Sequence, residues 1–514
     1  MTRLDGRHRF VRSADRPTRR LTMMPDHARP PGTPRGRRLA RTATTLGVAT
    51  LASLTTVAAT GTMSLAHTSG ALTRASVSEG DGGAPSPGKG GPERHRDSSA
   101  KGDRGGEKSV AGDPGWHRDD HGDRKAKSTP VPCDPNALIA AITAANQAGG
   151  GTLRLAEKCR YTLTVNQDDN GLPPIFQPIT IHGQGATIIR AAAADNFRIF
   201  NVTTGGDLTL KDLTVAGGRV EGANTDGGGI FAGEGTRLTL ERVTVRNNMA
   251  LGNNGDGGGI SGDRSKVTIT KSTITRNTAA DEGGGVSSDN SAFAISKSKL
   301  THNTAGTTGG GFSNDDGSAT ISHTVISDNS ATDGGGVDND GDVTDIVHST
   351  ITRNTASALG GGIYDNSNDS LLLRHTTVAK NTATSGGGIY TTGSIGATIE
   401  DSKIVHNIAT TGDGGGIAVN GEDSTNAVVA LRRSAVSDNQ ATGRAGGIFF
   451  NPPDDATDAL LTLTDVRVTK NLAQLEPGGI YNNGTVIVLG KTTTIDNRPT
   501  NCIGSPNPVP TCFG

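Results

Sequence analysis

A glycine run followed by one apolar residue returns ten times in this 514-residue chain, and that recurrence restricts the fold more than any other feature. The residue after the glycines is Ile230, Ile260, Val286, Phe312, Val337, Ile363, Ile389, Ile417, Ile448 and Ile480, at steps of 30, 26, 26, 25, 26, 26, 28, 31 and 32 residues. Eight copies carry three glycines; the last two read Ala-Gly-Gly and Pro-Gly-Gly. Each unit also carries an asparagine in step: Asn248, Asn277, Asn303, Asn329, Asn354, Asn381, Asn407, Asn439, Asn471 and Asn497. A period near 26 residues means one supersecondary unit that buries its apolar face only by stacking on its neighbours.

Within a unit, β-branched residues alternate with polar ones, the pattern of short strands with one buried face. Three such strands and their turns fit the period, and no Asn-Gly hairpin signal joins them, so identical strands stack in parallel about 4.8 Å apart. Two inner columns follow. One runs Leu240, Ile269, Ile295, Ile321, Ile346, Leu373, Ile399, Leu431, Leu463, Leu489; the other runs Val245, Ile274, Leu300, Ile326, Ile351, Val378, Ile404, Val436, Val468. A narrow lumen filled by small aliphatic residues accounts for the scarcity of aromatics, which number 10 Phe, 4 Tyr and 1 Trp. The repeated asparagine is expected to form a buried amide ladder, each side chain bonding to the coils above and below. The sequence predicts an all-β parallel β-helix of about 12–13 coils, in which residues 226–497 form the ten repeats and 498–514 a C-terminal cap.

Upstream of the repeats, residues 134–146 combine an acidic cap at Asp134, Pro135 in the first turn and an apolar face of Leu138, Ile139, Ile142 and Ala145, with Gly149 at the end. This is an amphipathic helix, placed within 133–150 to cover the open strand edges at one end of the solenoid. The cysteines sit at the two ends of the folded region, and their even number and an export signal suggest two local disulfides, Cys133–Cys159 and Cys502–Cys512. A metal site is the alternative, without a CxxC motif or a neighbouring histidine to support it.

Residues 1–66 read as an export region: Arg35, Arg37, Arg38 and Arg41 precede an uncharged, mildly apolar stretch at 45–63. An uncleaved membrane anchor is the alternative reading of that stretch. Residues 67–132 are rich in Gly, Ser, Pro and charge, hold almost no apolar side chains, and are expected to be a disordered linker. The first 132 residues carry 23 basic and 13 acidic residues, the remainder 27 and 38. The folded region 133–514 is therefore acidic and has no basic stripe for a phosphate backbone, which argues against nucleic acid as a partner.

The helix-first layout, the segment LPPIFQPITIHGQGATI at 172–188 and the stacked coils resemble the right-handed parallel β-helix proteins of the pectate-lyase-like superfamily. The alternation of GGGI with an asparagine is similar to the repeats of chlamydial polymorphic outer membrane proteins. The resemblance covers about residues 133–500. It implies the right-handed fold, and it implies no single activity, because that superfamily holds lyases, glycosidases, adhesins and proteins without known chemistry.

Candidate sites lie on columns. Three positions after the glycine-run residue come Gly233, Asp263, Asp289, Asp315, Asp340, Asn366, Thr392, Asn420, Asn451 and Asn483. Aspartates one coil apart repel unless solvated, protonated or bridged. Calcium is the one cofactor candidate, with Asp315, Asp316, Asp338, Asp340 and Asp342 as ligands; the alternative is that Asp and Asn simply suit turns. A second acidic column, Asp226, Asp256, Glu282, Thr308, Asp333, Leu359, Ser385, Asp413, Arg444, Glu476, precedes the glycines. Paired carboxylates of this kind suit glycoside cleavage. The hydrolase signatures of the resembled superfamily are not present as a set: Asp168-Asp169 and Asp315-Asp316 lack the downstream Gly-His-Gly motif. Immediately after the glycine-run residue, pointing outward, come Phe231, Tyr364, Tyr390, Phe449 and Tyr481. Rows of aromatic rings stack on sugars or protein partners; cross-coil packing that only stabilises the sheet is the alternative.

The reading is a secreted or cell-surface, bacterial-type β-helix with a binding or structural, adhesin-like role towards an extracellular polysaccharide or surface partner. Tyr364, Tyr390, Phe449 and Tyr481 are its binding candidates. The competing reading is a polysaccharide lyase or glycoside hydrolase.

Overall fold

The computed structural model describes residues 128–514, apart from 223–225, 342, 367–369, 393–395, 422–426 and 454–457. The export region, with its anchor alternative, and the linker up to residue 127 lie outside the described residues. The rest is a right-handed parallel β-solenoid of about 13 turns.

One repeat shows how the residues build a coil. Lys266–Thr270 forms a five-residue leg, Thr273–Thr275 a shorter one, Thr278–Ala279 a two-residue strand and Val286–Asp289 the strand after the glycines. Each pairs in parallel with its counterpart one coil on: Ile269 with Ile295, Ile274 with Leu300, Val286 with Phe312. A coil thus has four strands where the sequence pattern suggested three. The extra one, directly after the asparagine, is too short for alternation to announce it.

Corners are made by single left-handed residues. Every residue before the asparagine, from Asn247 through Arg276 and His302 to Asp496, has φ between 54° and 59°. Non-glycine residues pay for this conformation, and it persists because the neighbouring ladder fixes it. The ladder is as expected and more fully bonded. Asn303 Nδ2 donates to Asn329 Oδ1 (3.1 Å) and to the Ile274 carbonyl (3.1 Å), and Asn303 Oδ1 accepts from both the backbone N–H (3.0 Å) and Nδ2 (3.1 Å) of Asn277. The same set recurs coil after coil, ending where Asn497 meets Asn501. A second ladder runs beside it, in which the backbone N–H of Ser272 donates to Ser298 Oγ and that of Ser298 to Thr324 Oγ1. This second ladder is not legible in the sequence, since isolated Ser and Thr look like ordinary surface residues.

Both inner columns are buried, with one exception. Leu489 is 50% exposed, because Val488 takes the inward position opposite Leu463 in the last coil. The lumen is not wholly aliphatic. Asp365 is buried there, accepting from Asn339 Nδ2 (2.8 Å) and Thr391 Oγ1 (3.0 Å), so its carboxylate is held by donors from the coils on both sides.

The helix spans Pro135–Gln147, with Asp134 accepting the Asn136 N–H at its start. It packs against the first strands of the solenoid and buries Leu138, Ile142, Ala145 and Asn146. Both disulfides form as paired above. Ahead of the helix, Thr129–Val131 adds a strand parallel to Gly151–Leu155, so regular structure begins a few residues before 133. Among the left-handed residues before the asparagines, Asp328 and Arg353 on neighbouring coils form an outer ion pair at 2.8 Å, and His302 and His406 are exposed. No helix among the described residues is long and apolar enough to cross a membrane.

Candidate functional site

The strand after each glycine run belongs to an eleven-stranded parallel sheet reaching from Phe200–Val202 to Ile480–Asn482. Its inward residues are the apolar ones that follow the glycines. The outward column next to them reads Phe231, Ser261, Ser287, Ser313, Asp338, Tyr364, Tyr390, Ala418, Phe449 and Tyr481, in continuous register. This column is a floor. The residues before the glycines form one wall, and the Asp/Asn column three positions on forms the other.

The floor points outward, yet much of it is covered. Tyr390 and Phe449 are only 5% and 7% exposed, and Tyr364 and Tyr481 are half-buried. This corrects the expectation of freely exposed rings. In the runs of three glycines the first one folds back over the strand: a Cβ on Gly386 would lie 2.6 Å from Tyr390 Cβ, and one on Gly414 2.7 Å from Ala418 Cβ. Both glycines have φ near +60°, and in the following coil Ala445 takes the same position at φ 53°, buried beside Phe449.

The sequence-derived aromatic residues do come together. Tyr364 stacks on Tyr390 with centroids 5.9 Å apart, and Phe449 on Tyr481 at 4.8 Å. The Arg444 guanidinium covers the Tyr481 ring at 5.3 Å. Between the two pairs, Ala418 interrupts the stack. A cleft of about 290 Å³ opens there, floored by Tyr390, Ala418, Phe449 and Tyr481 and walled by Ser385, Asp413 and Arg444 on one side and Asn420 and Asn451 on the other. Asn451 Nδ2 donates to Asn420 Oδ1 (3.0 Å), and Asn420 Nδ2 to the Tyr390 hydroxyl (3.1 Å), which fixes the amide wall. Sequence reading found the rings and missed the cleft, because an alanine carries no signal until its neighbours in space are known. Phe231 lies far along the sheet under Arg198 (5.2 Å) and takes no part.

The other half of the groove is acidic. Burial, with Asp226 and Glu282 alongside, pushes the Asp256 carboxyl up to about 8. Burial, with Glu282 and Asp340 nearby, holds Asp338 well above the usual carboxylate range, and Ser313 Oγ donates to it at 3.0 Å. Asp263 is raised by burial and by Asp289. The first wall has a structural duty: the N–H of Asp256 donates to Asp226 (3.1 Å), that of Glu282 to Asp256 (3.0 Å) and that of Leu359 to Asp333 (2.8 Å).

Of the calcium candidates, Asp315 and Asp340 stand on the far wall, Asp338 on the floor, and Asp342 lies outside the described residues. Among the described residues, no three His, Cys, Asp or Glu side chains group so as to hold a metal ion.

Fold and groove together define a right-handed parallel β-helix, and a family model described as a right handed beta helix region matches residues 198–359. Among solved structures, the chain is similar to the A-module of the mannuronan C-5 epimerase AlgE4 of Azotobacter vinelandii (17% identity, 69% of this chain, 96% of that one, TM-score 0.40). It is also similar to the AlgE6 A-module from the same organism (16% identity, 70% and 94%, TM-score 0.36). A third is PfbA, a surface adhesin of Streptococcus pneumoniae (13% identity, 70% and 90%, TM-score 0.27). No curated protein matches the sequence.

Proposed function

We propose that this protein is a secreted or cell-surface glycan-binding protein, adhesin-like in role, and that the outer groove of the eleven-stranded sheet is its binding face. The observation that carries the reading is the cleft bracketed by the Tyr364–Tyr390 and Phe449–Tyr481 stacks. Aromatic faces bind the C–H faces of sugar rings, and amide, carboxylate and guanidinium groups on both walls match their hydroxyls. The groove continues along the solenoid, which suits an extended polymer better than a small metabolite.

A polysaccharide lyase or glycoside hydrolase is the second reading, favoured by Asp256, whose raised carboxyl beside Asp226 and Glu282 has the character of a general acid. Against it, Asp226 and Asp256 each accept a backbone N–H from the next coil, the posture of a register device. The full chain incubated with a polysaccharide panel, with and without calcium, separates the two. Retention without new reducing ends or unsaturated products supports binding; product formation overturns the binding-only reading. No retention on any member removes both.

A further inference from the structure

We propose that the corner between the long and short legs is a second binding face, for a linear anionic polysaccharide carrying one carboxylate or sulfate per sugar unit. In each coil a single left-handed residue turns the chain from the long leg into the short one. In five successive coils that residue is Lys271, Lys297, His323, His348 and His375, with φ between 48° and 51°. The long legs leading into them pair in continuous parallel register, and all five side chains are exposed. They form one straight row, about 19 Å long at about 4.8 Å per coil. The His348 and His375 rings stack 4.7 Å apart and within 5° of parallel, and His323 lies 5.1 Å from His348. No basic stripe shows along the sequence because these residues are 25 to 27 positions apart; the coil register assembles it.

The row stands out because its cations have no anions, although the solenoid as a whole is acidic. Complete ion pairs occupy the same corner just outside it: Arg242 with Asp212 at one end (2.9 Å) and Arg433 with Asp401 at the other (2.8 Å). Between them, neither lysine and none of the three histidines forms an ion pair among the described residues. Lys299 and Lys403, exposed beside the row on the short legs, form none either. The acids facing the histidines are already held by arginines: Asp345 by Arg374, Glu400 and Asp401 by Arg433, and Asp328 across the short leg by Arg353. The far corner of the short legs adds Lys380, His302 and His406. Unpaired like charges one coil apart repel, so a polymer that supplies one anion per rung is held along the whole row. The spacing sets the class. Phosphates of one nucleic-acid strand follow each other at about 3.4 Å, closer than the rungs. One charge per pyranose unit is a repeat near one coil. Single strands also bind by stacking bases on open aromatic faces, and here the imidazoles cover each other. Histidine gains charge between pH 8 and pH 5, so the row binds more tightly in acid.

The experiment measures binding of the full chain to hexagalacturonate (carboxylate), a sulfated galactan hexaose and a thymidylate oligomer, near pH 5.5 and pH 8. It compares wild type with a lysine variant (Lys271→Asn, Lys297→Asn) and a histidine variant (His323→Asn, His348→Asn, His375→Asn). Asparagine suits left-handed backbone, as Asn290 shows at φ 48°, so the corners are kept. The expected result is binding of an anionic hexaose, several-fold tighter near pH 5.5 than at pH 8 and weakened by salt; the tighter of the two hexaoses names the anion. The lysine variant lowers affinity roughly tenfold or more at both pH values. The histidine variant keeps the pH 8 affinity and loses the gain in acid. Wild-type affinity in a folded lysine variant overturns the row as the site. Should that variant misfold, wild-type pH dependence in the histidine variant overturns it instead. Tighter binding of the thymidylate oligomer overturns the glycan class, and no binding of either anionic hexaose near pH 5.5 at low salt overturns the proposal outright. Protection from amide exchange by the bound hexaose is expected on the short legs from Thr273–Thr275 to Thr377–Ala379. Protection of the groove strands instead overturns the row and leaves the groove as the binding face.

Discussion

The asparagine ladder is where single residues decide the fold. Each interior Asn side chain donates twice and accepts twice in a fully buried setting, so Asn303→Leu or Asn354→Leu strands several polar groups on the adjoining coils. Despite the added apolarity, the cost is about 3 kcal/mol or more, read as a lower denaturant midpoint; an unchanged midpoint would sink the ladder as a stabilising device. Asp256 acts in the opposite sense. Its carboxyl titrates near 8 in the folded state against an ordinary 3.8. Between those values the folded chain holds a proton that the unfolded chain has released, so stability falls as pH rises from about 4 to about 8 and is level above. Asp256→Asn mimics the protonated form and can still accept the Glu282 N–H. It is expected to match wild type near pH 4 and to melt higher at pH 8, by on the order of a few kcal/mol at most. An equal difference at both pH values contradicts the assignment. The ladder was legible in the sequence because an identical residue recurred at a fixed step. The raised carboxyls were not, because their burial and their acidic neighbours come from adjacent coils that only the folded backbone brings together.

At the scale of elements, the long legs, the cap helix and the cystine pairs were all readable from alternation, capping residues and cysteine placement. The two-residue strand and the serine–threonine ladder were not, since two residues cannot show a period. The aromatic strands give a mixed lesson: the sequence placed the rings on one column but left their cover unseen. That cover changes what substitution does. Replacing Tyr364 and Tyr390 together by Ser removes the stack and leaves a void beneath Gly386, and is expected to lower stability by about 1–3 kcal/mol in addition to weakening sugar binding. Binding therefore has to be measured per folded molecule, and a double variant that binds as wild type would make the rings structural only. At the N-terminal end, replacing Cys133 and Cys159 by Ser opens a 26-residue loop and should cost roughly 3 kcal/mol in the unfolding midpoint. Non-reduced peptide mapping should return Cys133–Cys159 and Cys502–Cys512; free thiols or crossed pairs would refute the pairing.

For the whole molecule, stacked coils bond only to their neighbours, so stability is a sum over adjacent pairs and the groove is as rigid as the coils beneath it. That rigidity turns a row of outward positions into a straight binding face without any dedicated loop. Amide hydrogen exchange, followed with and without a hexaose of a polysaccharide the protein retains, tests glycan binding in the groove most directly. Glycan binding in the groove predicts added protection confined to Ile389–Thr391, Ile417–Asn420 and Ile448–Asn451 and the glycine turns above them. Protection on the long legs instead, or none at a saturating concentration of any hexaose retained by the protein, would contradict it.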